Sequence, residues 1–315
     1  FIKFSAYISS FFFKSFQNIG TYFENLKVSA NIKNSKDISL YKKRDLIIYL
    51  SYIRILKFYF KSFMKKRGIK EVYQAMYYDP IGLAINSAAN ELGIKTYCVQ
   101  HGGQSRNNPA FGQWSIIPKK GYLMLPKKFL CWDSYSKKNI EGWSKFSTFH
   151  SAEVSGYSWM KMWIKGDFNF PKIKKISNKN YNIIFTMQPS YKEFPKVILS
   201  LIAKFNKNVM FWIRFHPRQK NTKFYINNRK VLKSFPNVNF YEASNYPLPA
   251  LMSKMDLHLT GFSSCIYEAS QFNVQTIFFD KQGKDYFQEF IENKKAIYLS
   301  NLNQIVKFLI KKIKN

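Results

Sequence analysis

The chain has 315 residues, 46% of them hydrophobic, which is enough for two α/β domains of ordinary size with a large core. Fifty Lys and Arg residues against 18 Asp and Glu residues give a formal net charge of +32, which favours an anionic partner. Three cysteines (Cys98, Cys131 and Cys265) and four histidines show no paired or metal-like spacing, which excludes a disulfide scaffold and a zinc site and indicates a reducing cytoplasm.

The positive charge is spread along the chain, and no arginine-rich recognition element stands out. Nucleic-acid binding is therefore less favoured than a nucleotide, an acidic polysaccharide or an anionic lipid surface. No apolar run reaches the roughly 18–20 residues that a bilayer span requires, so the sequence predicts no integral membrane protein.

The first predicted helix, Asp45–Arg67, is aromatic and basic, and Phe1–Phe16 has a similar composition. Such a segment fits two roles: contact with an anionic membrane surface, or packing of its apolar face on the first sheet, which is the favoured one. The chain begins with Phe rather than Met, and we expect the N-terminal domain to be incomplete.

A βαβ unit follows. A strand is predicted over Glu71–Tyr77, then a helix with apolar residues at three- and four-residue spacing that ends near Gly93, and a second strand over Lys95–Gln100. The crossover helix implies a parallel sheet.

Polar residues stand at the ends of these two strands. Gln100, His101, Gly102 and Gly103 follow the second strand, where the glycines would let backbone approach a ligand and His101 is a candidate general base. A loop-anchoring hydrogen bond is an equal alternative for His101. Asp79 is a second candidate base, and it equally fits the N-cap of a helix that starts at the next residue, a proline.

The seam between the halves is predicted in a polar, Lys-rich region that ends at Asn180, which places the boundary near residue 172 and gives domains 1–171 and 172–315. The second half alternates strands and helices, and ends in a basic amphipathic helix, Leu302–Lys314, that could fold back over the first domain. Its strands are predicted near residues 181–187, 208–215, 237–241, 256–260 and 275–279.

Three loops of the second half carry polar residues at strand ends. Arg214 and His216 precede a proline that stops the strand, and Gln188 and Ser190 follow the strand over 181–187. An Arg fork and a His can both donate to phosphate oxygens. For Gln188 and Ser190 an ordinary proline turn is the favoured alternative.

The third loop lies in Met255–Asp280, which reads as strand, Gly-Phe-Ser-Ser turn, helix and strand. Ser263 and Ser264 are predicted to begin the helix, where backbone N–H groups and hydroxyls form an anion site. A simple N-cap is the alternative. Glu268 falls early in this helix, where the helix dipole also favours an acid.

The motifs VQHG, RFHP and TGFSSCIYEAS together resemble the GT-B glycosyltransferases that build bacterial surface polysaccharides, over roughly residues 70–300. An HP loop with a Ser-Ser loop is similar to the sialyl-, polysialyl- and Kdo-transferases that use CMP-sugars, and to the CDP-glycerol glycerophosphotransferases of teichoic acid synthesis. The resemblance implies two Rossmann-like domains facing a central cleft. The first would bind the acceptor and the second the nucleotide-sugar.

The resemblance also implies that His216, Ser263 and Ser264 contact the donor phosphate and that Glu268 contacts the ribose. Arg214 has no fixed counterpart in it and is included on charge and position alone. The acidic pair followed by glycine that supplies the base in sialyltransferases is missing, so the base is open between His101 and Asp79.

No Asp-x-Asp motif occurs, which favours metal-independent chemistry with no cofactor beyond the donor. The leading hypothesis is a cytoplasmic glycosyltransferase, peripheral at the inner face of the membrane, that moves a sugar from a CMP-sugar to an oligosaccharide or lipid-linked acceptor. CDP-glycerol-type phosphotransfer, sugar-nucleotide epimerisation and a non-catalytic polyanion-binding scaffold in capsule assembly are the alternatives.

Overall fold

The computed structural model describes residues 43–112, 117–168 and 181–314. They divide into two compact units. Unit 1 contains the described residues up to His101 together with Gly112–Val154, and unit 2 contains Gly102–Phe111 and the chain from Ser155 onward. The predicted boundary near residue 172 and the segment Phe1–Phe16 lie outside the described residues. The contacts group Gly102–Phe111 with unit 2, although the sequence analysis assigned it to the first domain.

Unit 1 is a parallel sheet with helices. Its described strands run in the spatial order β1-β2-β3-β4, every neighbouring pair being parallel. The strands are β1 (Glu71–Gln74), β2 (Lys95–Val99), β3 (Lys128–Cys131) and β4 (Ser151–Val154). The helices are α1 (Lys43–Arg67), α2 (Pro80–Glu91) and α3 (Ser134–Ser144).

The βαβ unit is confirmed, with a shorter first strand than predicted. β1 ends at Gln74 because the chain then turns to pack directly under the start of α2. A methyl group at Gly82 would stand 2.7 Å from the Tyr77 Cα atom, so only glycine permits this approach. The small buried residues Ala84 and Ala88 let α2 pack closely on α1.

Unit 2 holds a larger parallel sheet. Six strands run in the order β10-β9-β8-β5-β6-β7, all neighbours being parallel. They are β5 (Tyr181–Thr186), β6 (Val209–Arg214), β7 (Val238–Asn239), β8 (Leu257–Thr260), β9 (Gln275–Phe278) and β10 (Ala296–Tyr298). The helices are α4 (Ser158–Lys165), α5 (Lys196–Lys204), α6 (Lys223–Leu232), α7 (Tyr241–Asn245), α8 (Leu248–Met252), α9 (Ile266–Gln271), α10 (Lys281–Tyr286), α11 (Gln288–Glu292) and α12 (Leu302–Lys314).

Four of the five predicted strands of this half are confirmed to within about one residue at each end. The fifth, predicted over 237–241, is reduced to Val238–Asn239 because a helix begins at Tyr241. Asn239 Oδ1 accepts from the Glu242 amide at 3.0 Å, and Asn239 Nδ2 donates to Glu242 Oε2 at 2.7 Å. This reciprocal pair ties the end of the strand to the first turn of α7.

The core of unit 2 is an apolar layer between the sheet and its helices, and α12 belongs to it. Ile305 and Leu309, four residues apart, are fully buried in the same cluster as Ile198 and Leu201 of α5. The expectation that this helix folds back over the first domain is therefore wrong: its apolar face is buried in unit 2. No helix in the described part of the chain is long and apolar enough to cross a membrane.

Candidate nucleotide-binding site

The strand order of unit 2 reverses between β5 and β8. From β5 the chain adds β6 and β7 on one side, then returns to place β8, β9 and β10 on the other. Open parallel sheets bind ligands outside the carboxyl ends of their strands at such a reversal. Five predicted residues of the second half lie in the segments that follow β5, β6 and β8: Gln188, Ser190, His216, Ser263 and Ser264. Arg214 is the last residue of β6, and Glu268 is the third residue of α9.

The loop after β8 presents hydroxyl groups. Ser263 Oγ accepts from the Cys265 amide at 3.3 Å, and the amides of Ile266 and Tyr267 donate to the carbonyls of Ser263 and Ser264. The following helix, α9, begins at Ile266 and has six residues, so the serines precede it rather than open it. The amides at its start are already paired, and the exposed Ser264 hydroxyl is the main group this loop offers a ligand.

The glycine pair from the VQHGG motif packs on this loop. The Gly103 amide donates to Ser264 Oγ at 3.3 Å, and a methyl group at Gly102 would stand 3.4 Å from the same oxygen. Asn107 Nδ2 donates to the Asp285 carbonyl at 2.6 Å, which ties the segment further to unit 2. The structure thus brings together the Gly-Gly and Ser-Ser motifs, which lie about 160 residues apart in the sequence.

The turn after β8 depends on a glycine. A methyl group at Gly261 would collide with the hydroxyl of Tyr191, which comes from the β5 loop. A methyl group at Gly283 of α10 would likewise collide with the Gly261 carbonyl. The β5 loop and α10 therefore hold the Ser-Ser loop from both sides.

Arg214 is anchored behind the site. Its Nη1 donates to the carbonyls of Ala243 and Tyr246, at 2.6 and 2.7 Å. Burial lowers the pKa of Arg214, but the charges of Cys265 and Glu268 raise it. The guanidinium is thus positioned by the end of α7 and contributes a fixed positive charge near Glu268.

His216 is half-buried and begins a short 3₁₀ turn over Pro217–Gln219. Its Nδ1 accepts from the Arg218 amide at 3.2 Å, while Gln219 accepts from the His216 amide and donates to the Gln188 carbonyl. Burial, and then the charge of Arg218, lowers the pKa of His216. A neutral ring that accepts at Nδ1 carries its proton on Nε2, which makes Nε2 a donor for a ligand.

A tyrosine that no sequence pattern predicted pairs with the Glu268 carboxylate. Tyr157 Oη donates to Glu268 Oε1 at 2.8 Å. Burial raises the pKa of Glu268, whereas the Tyr157 hydrogen bond and the Arg214 charge lower it. The partner of Tyr157 lies 111 residues further along the chain, so no local pattern of the sequence identifies Tyr157.

A buried polar row lies under the site. His258 is fully buried, with Nε2 2.8 Å from Thr186 Oγ1 and Nδ1 3.0 Å from Thr276 Oγ1. Burial lowers the pKa of His258 to about 3, so the ring is neutral and links β5, β8 and β9 through hydrogen bonds. Thr260 Oγ1 also donates to the Thr186 carbonyl at 3.1 Å. These residues are not predictable from the sequence, because single polar positions inside apolar strands form no motif.

Gln188 and Ser190 lie on the β5 loop, as predicted, in different environments. Gln188 is buried and its carbonyl accepts from Gln219, whereas Ser190 is exposed. Both roles that the sequence left open, ligand contact and proline turn, remain compatible with these positions.

The candidates of unit 1 are engaged in its own structure. Asp79 Oδ1 accepts from the Gly82 amide at 2.6 Å, which makes it the N-cap of α2. Gln100 is buried, accepting from the Trp132 amide and donating to Ser136 Oγ. Its side chain is therefore a structural link between strand and helix rather than an exposed acceptor contact.

His101 keeps the properties of a candidate base. It is exposed, its Nε2 lies 3.5 Å from Tyr78 Oη, and the two rings are stacked with centroids 6.4 Å apart. Burial of part of the ring lowers the pKa of His101, and a backbone hydrogen bond at Ala75 partly offsets this. The neutral ring at pH 7 can accept a proton.

No cluster of three or more His, Cys, Asp or Glu side chains in the described ranges is placed to hold a metal ion. Catalysis without a metal remains a prediction from the sequence.

The fold is similar to those of several solved structures. The structure of Staphylococcus aureus MnaA with UDP aligns with a TM-score of 0.58 and 14% identity, over 85% of this chain and 73% of that one. For Methanocaldococcus jannaschii UDP-GlcNAc 2-epimerase in complex with UDP-GlcNAc and UDP, the TM-score is 0.56 and the identity 17%, over 85% of this chain and 75% of that one. For a glycotransferase of kitacinnamycin, the TM-score is 0.54 and the identity 10%, over 85% of this chain and 74% of that one.

No protein-family profile matches the sequence, and no curated protein matches it. At these identities the structural likeness establishes the fold: α/β, with parallel sheets and two Rossmann-like domains of the GT-B type. The predicted fold class is confirmed to that extent.

Proposed function

We propose that the chain is a glycosyltransferase that binds a nucleotide-sugar at the β5–β8 reversal of unit 2 and transfers the sugar to a surface polysaccharide or glycolipid. The observation that carries the proposal is the gathering of His216, Ser264, Arg214 and the Glu268–Tyr157 pair at one sheet edge. The presence of UDP or UDP-GlcNAc in similarly folded structures supports nucleotide-sugar as the ligand class.

The phosphate would be held by neutral donors backed by a fixed charge. Ser264 and Ser263 offer hydroxyls, and His216 offers its Nε2 proton. Arg214 stands behind them, with its guanidinium on two carbonyls. Donors that are fixed before the reaction stabilise negative charge without reorganisation, which is the role a leaving phosphate requires.

The nucleoside would be held on the Glu268 side. Tyr157 occupies one carboxylate oxygen, and the other oxygen is suited to accept from a ribose hydroxyl. Gln188 and Ser190 on the β5 loop are the candidates for contact with the base or phosphate.

Transfer would proceed by attack of an acceptor hydroxyl on the anomeric carbon. The bond from that carbon to the phosphate oxygen breaks, the electron pair leaves with the phosphate, and the hydroxyl proton passes to a base. His101 is better suited than Asp79 for this step, because the Asp79 carboxylate already caps α2 while the His101 ring is neutral and exposed. We favour a CMP-sugar as the donor, on the motif resemblance.

Sugar-nucleotide epimerisation is the second candidate, favoured by the likeness to UDP-GlcNAc 2-epimerases. The two activities separate in a simple assay. The protein is incubated with CMP-sugars, UDP-sugars or CDP-glycerol, each with and without an oligosaccharide acceptor, and nucleotide release and the products are followed by chromatography.

A glycosyltransferase releases nucleotide and extends the acceptor only when the acceptor is present. Conversion of the sugar without acceptor would instead establish the epimerase. Release of CMP from CDP-glycerol with transfer of glycerol phosphate would establish the phosphotransferase. Absence of all three reactions, together with absence of nucleotide binding, would favour the scaffold.

A further inference from the structure

The inner face of helix α1 is buried against α2. Ile53, Leu56 and Met64 are 2–5% exposed and pack on the alanines of α2. The favoured sequence interpretation, packing of an apolar face within the first domain, describes this side of the helix. It does not account for the opposite side.

The outer face carries three large aromatic side chains in contact with solvent. Phe58, Tyr59 and Phe63 are 58%, 61% and 45% exposed, and they fall within two turns of the helix. Single exposed apolar residues are ordinary on protein surfaces, but a cluster of rings on one helix marks a contact surface. We call Phe58, Tyr59 and Phe63 with the following Lys65, Lys66 and Arg67 the α1 outer face.

The charge around these rings is strongly positive. Lys65, Lys66 and Arg67 form the last turn of α1 and are exposed. Lys57 and Lys61 both lie 2.8 Å from Glu91, so one carboxylate is shared by two ammonium groups and the pair leaves an excess positive charge. Asp45 is the only acidic residue in the sequence of α1, against eight lysines and arginines.

We propose that the α1 outer face docks the protein on an anionic membrane surface, with the rings at the level of the lipid headgroups and the lysines on lipid phosphates. Aromatic side chains favour the membrane–water interface, and basic residues next to it are attracted by anionic lipids. Long lysine side chains reach the phosphates while the rings insert, which lets both groups act from one face.

Charge complementarity selects this occupant over others. A second copy of the chain would bring two positive faces together, which repel. A soluble polyanion would satisfy the lysines and leave the rings in water. The proposal rests on unit 1 alone and does not depend on the nucleotide site of unit 2.

The test is co-sedimentation of the whole chain with vesicles of phosphatidylcholine, with and without phosphatidylglycerol. We expect binding only to the anionic vesicles, weakened at high salt. Phe58→Ser with Tyr59→Ser, and separately Lys65→Ala with Lys66→Ala, should each weaken binding about tenfold or more. Circular dichroism and thermal unfolding of each variant verify the fold.

The matched control is Lys311→Ala with Lys312→Ala on α12, which removes the same charge from another exposed basic helix. It should retain binding within about twofold if the α1 outer face is specific. Equal loss in the control would show attraction by the total charge, and would overturn the proposal. If dextran sulfate abolishes binding and Phe58→Ser with Tyr59→Ser leaves it unchanged, the α1 outer face binds a soluble polyanion instead. The proposal is equally overturned if folded wild-type protein does not bind anionic vesicles.

Discussion

The two sheets of this protein are built from the same parallel units and differ in one respect that matters for ligand binding. The described strands of unit 1 follow one another in sequence order, whereas those of unit 2 reverse between β5 and β8. In unit 1 the polar candidates are Asp79, at the start of α2, and Gln100, just after β2, and both make hydrogen bonds that hold the fold. At the reversal in unit 2 the loops diverge, and Ser264 and His216 keep atoms that can meet a ligand.

The largest effect should come from removing a donor at the reversal. His216→Ala deletes the Nε2 proton and should lower kcat/KM about 10²–10³-fold, the usual loss when one fixed donor to a developing charge is removed. Steady-state kinetics with nucleotide-sugar and acceptor measure it. His216→Gln keeps a donor amide and should recover part of the loss. Unchanged kcat/KM in folded His216→Ala would remove His216 from the phosphate site.

The next effect concerns the buried row that supports the reversal. Because the pKa of His258 is about 3 when folded and near 6.5 when unfolded, the unfolded chain binds its proton first as pH falls. The stability contributed by neutral His258 is therefore complete above about pH 6.5 and is lost as pH falls from there toward 3, by about 1.4 kcal/mol per pH unit.

Urea unfolding at several pH values tests this loss. Between about pH 3 and 6.5, the slope of the unfolding free energy against pH should be smaller in His258→Gln by about 1.4 kcal/mol per pH unit, which is the contribution of one proton. If the slope is the same in both proteins, His258 is not buried as a neutral ring. If His258→Gln fails to fold, Thr276→Val is measured instead. This substitution removes one hydrogen-bond partner of the His258 ring and should lower the unfolding free energy at pH 7.

In unit 1, substitution of Asp79 should lower the stability of the protein and leave its turnover unchanged. Asp79→Ala removes the N-cap of α2 and should cost about 0.5–2 kcal/mol. Asp79→Ser keeps a capping oxygen without a carboxylate, so it should restore most of the stability. Thermal unfolding and kcat together decide the role: loss of turnover in stable Asp79→Ser would make Asp79 the base and contradict the assignment to His101.

The smallest effect is expected at the Glu268–Tyr157 pair. The Tyr157 hydrogen bond lowers the pKa of Glu268, so Tyr157→Phe should raise that pKa further. As the solution is acidified, the variant should therefore begin to lose nucleotide affinity at a higher pH than the wild type does. At neutral pH, the nucleotide affinity of the variant should be a few-fold lower than that of the wild type. Calorimetric titration across pH measures both, and coincident pH profiles would show that Glu268 does not bind the nucleoside.

Local sequence patterns predicted those strands and helix starts that depend on neighbouring residues. Apolar runs identified β5, β6, β8 and β9, and Asp79 before proline marked the start of α2. What local patterns did not reveal depends on distant partners. The Tyr157–Glu268 bond spans 111 residues, and Ser264 meets Gly103 from 161 residues away.

The interpretation of the Ser-Ser loop shows the same limit. Sequence alone suggested a helix opening with unpaired amides, but the amides of Ile266 and Tyr267 are paired within the loop and α9 is short. The side of the molecule on which α12 packs was also mispredicted, because an amphipathic pattern shows that a face is buried and not what covers it.

Nucleotide binding at the reversal in unit 2 is best tested by calorimetric titration of CMP, CDP, UDP, GDP and ADP into the wild type, Ser264→Ala and Ser253→Ala. Ser253 is an exposed serine whose hydroxyl donates to the Ala250 carbonyl, which makes it a matched control. We expect one nucleotide, CMP by preference, to bind the wild type and Ser253→Ala equally and Ser264→Ala at least about tenfold more weakly. Absence of binding by every nucleotide to folded protein, or equal binding by all three proteins, would contradict the proposed site.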